Sequence, residues 1–253
     1  MKAIIGIAGT KGSGKDTVAS MINYITTVGV NKADYRDYIM NNLSIKERYK
    51  HRIIHFADSV KKVLSEIYNI DLEYFYDEEY KDNKLYCFNE RRFLNERDVT
   101  SKYRIIHVDN LLFNSLGEVI SKTIPTVKCI IKLRTLMQYF ATDICRKYLG
   151  DNIWVDSTII KAKYIVDTDN ICIIPDVRFK NEANAINCSS TGVIVRIVRD
   201  TVEDDNSKHI SEQIDFVTDY YINNNGSKMQ LFYKVLNVIQ DIIYKQNKLI
   251  NKL

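Results

Sequence analysis

The residues best suited to chemistry come early: Gly9-Thr10-Lys11-Gly12-Ser13-Gly14-Lys15-Asp16-Thr17. A loop of small residues lets backbone N–H groups curl around an oxyanion. A helix starting at the same place aims its positive end there. Lys15 adds a mobile cation for outer phosphates. Such a loop is credible when a strand precedes it and a helix follows. The apolar run Ala3-Ile4-Ile5-Gly6-Ile7-Ala8 is the expected strand. Val18, Ile22 and Ile25 recur at helical spacing, which predicts a helix over about 16–27. One position departs from the general pattern: Asp16 follows Lys15, and the hydroxyl comes one residue later, at Thr17.

A second candidate is Asp176, at the end of the apolar run Ile171-Cys172-Ile173-Ile174-Pro175. Ligands of open α/β sheets gather at the carboxyl ends of strands. An acid there is the usual partner of a phosphate loop, holding Mg²⁺ directly or through water. Arg178 and Glu182 follow four residues apart and read equally well as a surface ion pair or as part of the site. Upstream, Arg134, Gln138 and Thr142 are also spaced by four, off the stripe formed by Leu133, Leu136, Met137, Phe140 and Ile144. A cation, an amide and a hydroxyl on one helix face could grip a phosphate and a base edge; spacing alone favours an ordinary polar outer face. Lys61 and Lys62 open a helix whose stripe is Val60, Val63, Leu64 and Ile67, with Asp58-Ser59 as its cap. Cations are unfavourable in a first turn unless an anion binds there, but a solvated pair fits the spacing better. Trp154, the single tryptophan, suits a core more than a stacking platform. His209, in the polar run around His209-Ile210-Ser211-Glu212, reads as solvent-facing.

The elements that must position these groups alternate strand and helix, which predicts a parallel sheet with helices on both faces. Gly192-Val193-Ile194-Val195-Arg196-Ile197-Val198-Arg199 is a further strand, and residues 220–227 form a short last strand and a turn. A closing helix is expected over about 228–245. Arg52-Ile53-Ile54-His55-Phe56-Ala57 has a buried-strand signature, and residues 29–50 read as a loop that could hold one short helix. Residues 71–132 are read as an inserted segment: a lid, substrate flap or dimer surface. In it Asp77-Glu78-Glu79-Tyr80-Lys81-Asp82 is a charge run of the solvated kind. Arg104-Ile105-Ile106-His107-Val108 and Val127-Lys128-Cys129-Ile130-Ile131 could pair as a hairpin or belong to the insertion.

Composition bounds the function. At 253 residues, the chain fits one large domain with an insertion. A hydrophobic fraction of 45% and a charged fraction of 27% are ordinary for a globular protein, and a net charge of +4 does not suggest a surface that coats nucleic acid. The 17 tyrosines, with many Asn, Ile and Lys, fit the codon bias of an AT-rich genome. Five cysteines, odd in number and without a C-x-x-C pair, signal neither a disulfide framework nor a zinc site and fit a reducing, cytoplasmic setting. The opening apolar run ends in the loop rather than at a cleavage site, and no run approaches a membrane span.

Taken together, GTKGSGKDT at 9–17, FADSVK at 56–61, LRTLMQYFATDICR at 133–146, DNIW at 151–154, IPDVRFKNE at 174–182, HISE at 209–212 and YINNNGS at 221–227 resemble the deoxynucleoside monophosphate kinases of large-genome phages and viruses, within the P-loop kinases. The shift from Asp16 to Thr17 also resembles monophosphate kinases more than switch GTPases or motor ATPases. The matches run in order through most of the chain, with 29–50 and 83–130 unmatched. The resemblance implies the P-loop kinase three-layer α/β fold in a single domain, 1–253, with an insertion. It implies that Gly12, Gly14, Lys15, Asp16 and Thr17 hold ATP, with Thr17 and Asp176 at Mg²⁺ and Lys15, Asp176 and Arg178 at the reacting phosphates. Lys11, Lys61, Lys81, Arg134, Gln138, Thr142, Trp154 and Glu182 would surround the deoxynucleoside monophosphate, Lys81 by the loosest match. Ala141 departs from the family's usual Gly before Thr, an added methyl that bears on base preference. The family also implies a homodimer in the host cytoplasm, with no nucleic-acid polymer and no membrane as partner.

The expected reaction is transfer of the γ-phosphoryl group of ATP to the 5′-phosphate. That chemistry needs positioning and charge neutralisation more than a protein base. Two alternatives stand beside it: a phosphomevalonate kinase of the animal type, which is similar in the P-loop and FAD-x-x-K stretches, and a nucleotide-binding module without transferase activity.

Overall fold

The computed structural model describes residues 1–95, 97, 103–105, 128–200 and 214–250. Its strands are β1 (Ala3–Ala8), β2 (Leu85–Cys87), β3 (Arg92–Leu94), β4 (Tyr103–Ile105), β5 (Lys128–Lys132), β6 (Ile171–Val177), β7 (Gly192–Val198) and β8 (Tyr220–Asn223). Its helices are α1 (Lys15–Val28), α2 (Tyr35–Arg48), α3 (Asp58–Tyr68), α4 (Glu78–Asp82), α5 (Leu133–Gln138), α6 (Lys147–Leu149), α7 (Ile153–Asp169), α8 (Lys180–Asn187) and α9 (Lys228–Ile250), with a π-helical segment, Tyr139–Arg146, between α5 and α6. The chain divides into two units: Met1–Phe56 with Val155–Leu253, and Ala57–Trp154.

The first unit is built on a sheet of order β6-β1-β7-β8, parallel throughout. Every residue of β1 is buried, as expected for a central parallel strand covered on both faces. Alternation then sorts its side chains. Ala3, Ile5 and Ile7 pack with residues of α1, α2 and α9, while Ile4 and Ala8 pack with residues of α7 and α8. On the first face Phe232 is fully enclosed among Tyr24, Tyr35 and Tyr38, a burial that contributes about 2–3 kcal/mol. This parallel sheet between two helical layers, with the phosphate loop joining β1 to α1, is the P-loop kinase fold.

Two elements of this unit differ from the sequence expectation. Residues 35–48 form a 14-residue helix rather than a loop with one short helix. Asp34 caps it by accepting the Arg36 N–H at 2.8 Å. Tyr38 is buried, but Ile39, Met40 and Leu43 are exposed, so the helix lacks a clean apolar stripe. The strand expected at 52–57 shrinks to one bridge, Ile53 with Ile173, supported by the Ile54 N–H on the Ile173 carbonyl. A 3₁₀ turn, Lys50–Arg52, and the start of α3 at Asp58 leave little room for more.

The second unit carries a sheet of order β3-β2-β5-β4. β2 pairs antiparallel with β3 and β5, and β4 pairs parallel with β5. β4 and β5 are therefore not the two strands of a hairpin, which would be antiparallel. The core of this unit joins Val60 and Leu64 of α3, Phe75, Tyr86, Ile131, Leu133 and Leu136 of α5, Cys145 and Trp154. Ile67, expected in the α3 stripe, is 60% exposed. α3 starts at Asp58 with no side-chain cap, so Asp58-Ser59 lies in its first turn rather than before it. No helix among the described residues is long and apolar enough to cross a membrane. His209 and the run 209–212 lie outside the described residues.

Candidate active site

The loop at 9–17 leaves the carboxyl end of β1 and turns into α1 at Gly14, whose φ of +98° is left-handed backbone that favours glycine. Its inner wall is tight. A Cβ on Gly9 would lie 2.5 Å from Ser13 Oγ and 2.6 Å from the Ile197 carbonyl. Lys15 folds back over the loop, its Nζ donating to the carbonyls of Gly9 at 2.8 Å and Thr10 at 2.7 Å. Lys11, Gly12 and Asp16 are exposed, and Thr17 is half-buried in the first turn of α1. Asp16 there is favourable for the helix dipole. The backbone makes an anion cradle, and the lysine rests on the cradle's own oxygens.

Asp176 is the penultimate residue of β6 and is half-buried. Its Oδ1 accepts the N–H of Phe56 at 3.2 Å, which fixes the carboxylate at the carboxyl end of the sheet. Arg178 follows, also half-buried. Glu182 is 2% exposed, and its Oε2 accepts the N–H groups of Arg178 at 2.8 Å and Phe179 at 3.0 Å. That is the acidic half of a capping box at the start of α8. Glu182 thus shapes the turn that carries Arg178, and the two do not form a simple surface ion pair. Arg196 of β7 stands in register with Ala8 of β1, and its Nε is enclosed without a hydrogen-bond partner among the described residues. Magnesium takes one or two carboxylates together with waters and substrate phosphates. Asp176 and the Thr17 hydroxyl are donors of that kind, and no all-protein cage of His, Cys, Asp and Glu occurs among the described residues.

In the second unit, Arg134 of α5 holds Asp82 of α4 in a two-pronged pair, Nε to Oδ1 at 2.5 Å and Nη2 to Oδ2 at 2.9 Å. The Asp82 hydrogen bond raises the guanidinium's pKa. Asp82 belongs to a charge run that reads as solvated surface, and a carboxylate carries no signal of which arginine it will meet. Gln138 and Thr142 are exposed. The helix widens to π geometry at Tyr139, with the Lys147 N–H reaching the Thr142 carbonyl. Spacing by four therefore does not keep Thr142 in line with Arg134 as it would in an α-helix, and single π turns are frequent at functional sites. Trp154 is 7% exposed, and its indole N–H donates to the Ala141 carbonyl at 3.1 Å. It braces this π segment from the core. Lys61 and Lys62 part company: Lys62 is exposed, while Lys61 is buried with its Nζ 3.7 Å from Asp58 Oδ1 and 3.7 Å from the Tyr76 ring centre. Lys81 is half-buried in α4, beside Asp82.

The loop, Asp176, Arg178 and Glu182 thus belong to the first unit, and Arg134, Gln138, Thr142, Trp154, Lys61 and Lys81 to the second. One residue in the first set is not a candidate by sequence. Asn224, just after β8, donates its Nδ2–H to the Ser13 carbonyl at 2.8 Å across 211 positions. Three consecutive asparagines, 223–225, at a strand's carboxyl end are the available signal, and by themselves they indicate only a turn.

None of the curated proteins compared with the chain matches it. The profile of the deoxynucleotide monophosphate kinase family matches residues 3–235, from the first strand into α9. That span contains the loop, Asp176 and the Arg134 helix, and it accounts for nearly the whole chain. With the P-loop kinase fold in place, the chain belongs to the deoxynucleotide monophosphate kinase family.

Proposed function

We propose that this protein transfers the γ-phosphoryl group of ATP to the 5′-phosphate of a deoxynucleoside monophosphate, giving the two diphosphates. The observation that carries this reading is the Arg134–Asp82 pair. Asp82 occupies the Nε–Nη2 edge of the guanidinium, which leaves the Nη1–Nη2 edge to present two parallel N–H groups to a phosphate. The family match supports a nucleotide as the bearer of that phosphate.

Loop amides and Lys15 take the donor phosphates. Lys15 exchanges two carbonyl oxygens for more strongly charged phosphate oxygens, a charge-assisted bond of greater strength. Arg134 takes the acceptor phosphate, with Gln138 and Thr142 toward the base and Lys11 and Lys61 as further cations. Trp154 acts by bracing the π segment that carries Thr142, and Glu182 by fixing the turn that carries Arg178. Arg178 offsets charge on the transferring group. Asp176 and Thr17 would hold magnesium, which would supply positive charge against the donor phosphates. The acceptor oxygen is already nucleophilic, so no protein base is required. We read the second unit as an insertion in one P-loop kinase domain, carrying the acceptor residues.

The test is incubation of the purified protein with ATP, Mg²⁺ and each of the four deoxynucleoside monophosphates in turn. Formation of a deoxynucleoside diphosphate from at least one is expected. No diphosphate from any of them would sink the proposal, and transfer to phosphomevalonate in a parallel reaction would replace it.

A further inference from the structure

We propose that Asn224 is a positioning residue of the phosphate loop, acting through one peptide plane. The inference rests on the reading of residues 9–17 as the ATP phosphate site. Asn224 is 9% exposed, and its backbone N–H is tied to the Val198 carbonyl at 2.7 Å, so its side chain is aimed from a strand end. The amide Nδ2 donates to the carbonyl of Ser13, a fully buried residue. No peptide bond in the described chain is cis. In a trans peptide the C=O and N–H point in opposite directions. Holding the Ser13 oxygen toward Asn224 therefore turns the Gly14 N–H away from Asn224. That N–H has no acceptor among the described residues, as expected of an anion-binding amide at a helix start.

The fit is close enough to exclude a looser role. A Cβ on Gly14 would lie 2.5 Å from Asn224 Nδ2, so glycine and amide are matched to each other. Ser13 adds no competing hold, because its Oγ is buried without a hydrogen-bond partner among the described residues. Asn224 is thus the side-chain donor that sets this peptide.

The experiment compares N224A and N224D in the full chain. Aspartate keeps the shape of asparagine, but as a carboxylate it cannot donate to the Ser13 carbonyl. Titration with a fluorescent ATP analogue should show affinity falling about tenfold in N224A and at least as far in N224D, the scale of one hydrogen bond. Titration with deoxynucleoside monophosphate should stay within about twofold of the unmodified protein, since that site does not use the loop peptide. Thermal melts of both variants identify the folded species to be compared. ATP affinity within twofold in a folded N224D, or an equal loss for both nucleotides, overturns the proposal. If the unmodified protein itself fails to bind ATP, the reading of the loop has failed rather than the role of Asn224.

Discussion

The two units hold their candidate phosphate groups in different ways. In the first, the cradle is backbone: loop amides set by two glycines, by the close approach of the Ile197 carbonyl and by Asn224 behind Ser13. In the second, the grip is side chain: Arg134 shaped by Asp82, on a helix whose next turns are π and are braced by Trp154. A backbone cradle requires little of residue identity beyond small size, apart from the one side chain, Asn224, that holds its peptide plane. A side-chain grip needs each partner, and each partner arrives from a different element. Donor-site function should therefore resist most substitutions outside the loop, while acceptor-site function should be spread over several weak links.

The largest effect tests the donor side. Lys15→Met should lower the phosphoryl-transfer rate by about a thousandfold or more, because a cation on the transferring group is lost, while calorimetric titration shows monophosphate binding within about twofold. Parallel loss of both would break the division of labour. On the acceptor side, Arg134→Ala should raise the KM for monophosphate by roughly 10- to 100-fold, the scale of a charge-assisted hydrogen-bond pair, with the KM for ATP nearly unchanged. A matching rise for ATP would place Arg134 on the donor instead. Asp82→Asn should raise the monophosphate KM by about 3- to 10-fold, because one charged contact weakens while the arginine stays. A fall in KM would recast Asp82 as a competitor that the substrate must displace, which sharpens rather than abolishes the contrast. The smallest effect is Trp154→Phe. Loss of one buried hydrogen bond should cost about 1 kcal/mol of stability by urea titration, with a modest rise in monophosphate KM and none for ATP.

Much of the donor side is legible in the sequence. The strand at 3–8, the loop and the helix after it lie within 28 residues, so pattern and geometry coincide. Asp176 is legible for the same reason, as an acid ending an apolar run. Residues 35–48 are not, because the helix buries chiefly Tyr38 and exposes Ile39, Met40 and Leu43, so its sequence lacks amphipathic periodicity. Glu182 stands out as a site residue but not as the acceptor of two backbone amides, and Trp154 stands out as core but not as a donor to Ala141.

By itself the sequence determined that a glycine-rich loop joins a strand to a helix, where the parallel sheet starts and which helix carries Arg134, because local periodicity and glycine spacing encode those directly. Only the tertiary structure decided how the groups are held. The Arg134–Asp82 pair joins positions 52 apart, the Asp176–Phe56 bond positions 120 apart, and the Asn224–Ser13 bond positions 211 apart. Hydrogen bonds of such range leave no periodic trace along the chain. They depend on where separate elements end, and that is settled only when the cores of the two units have packed.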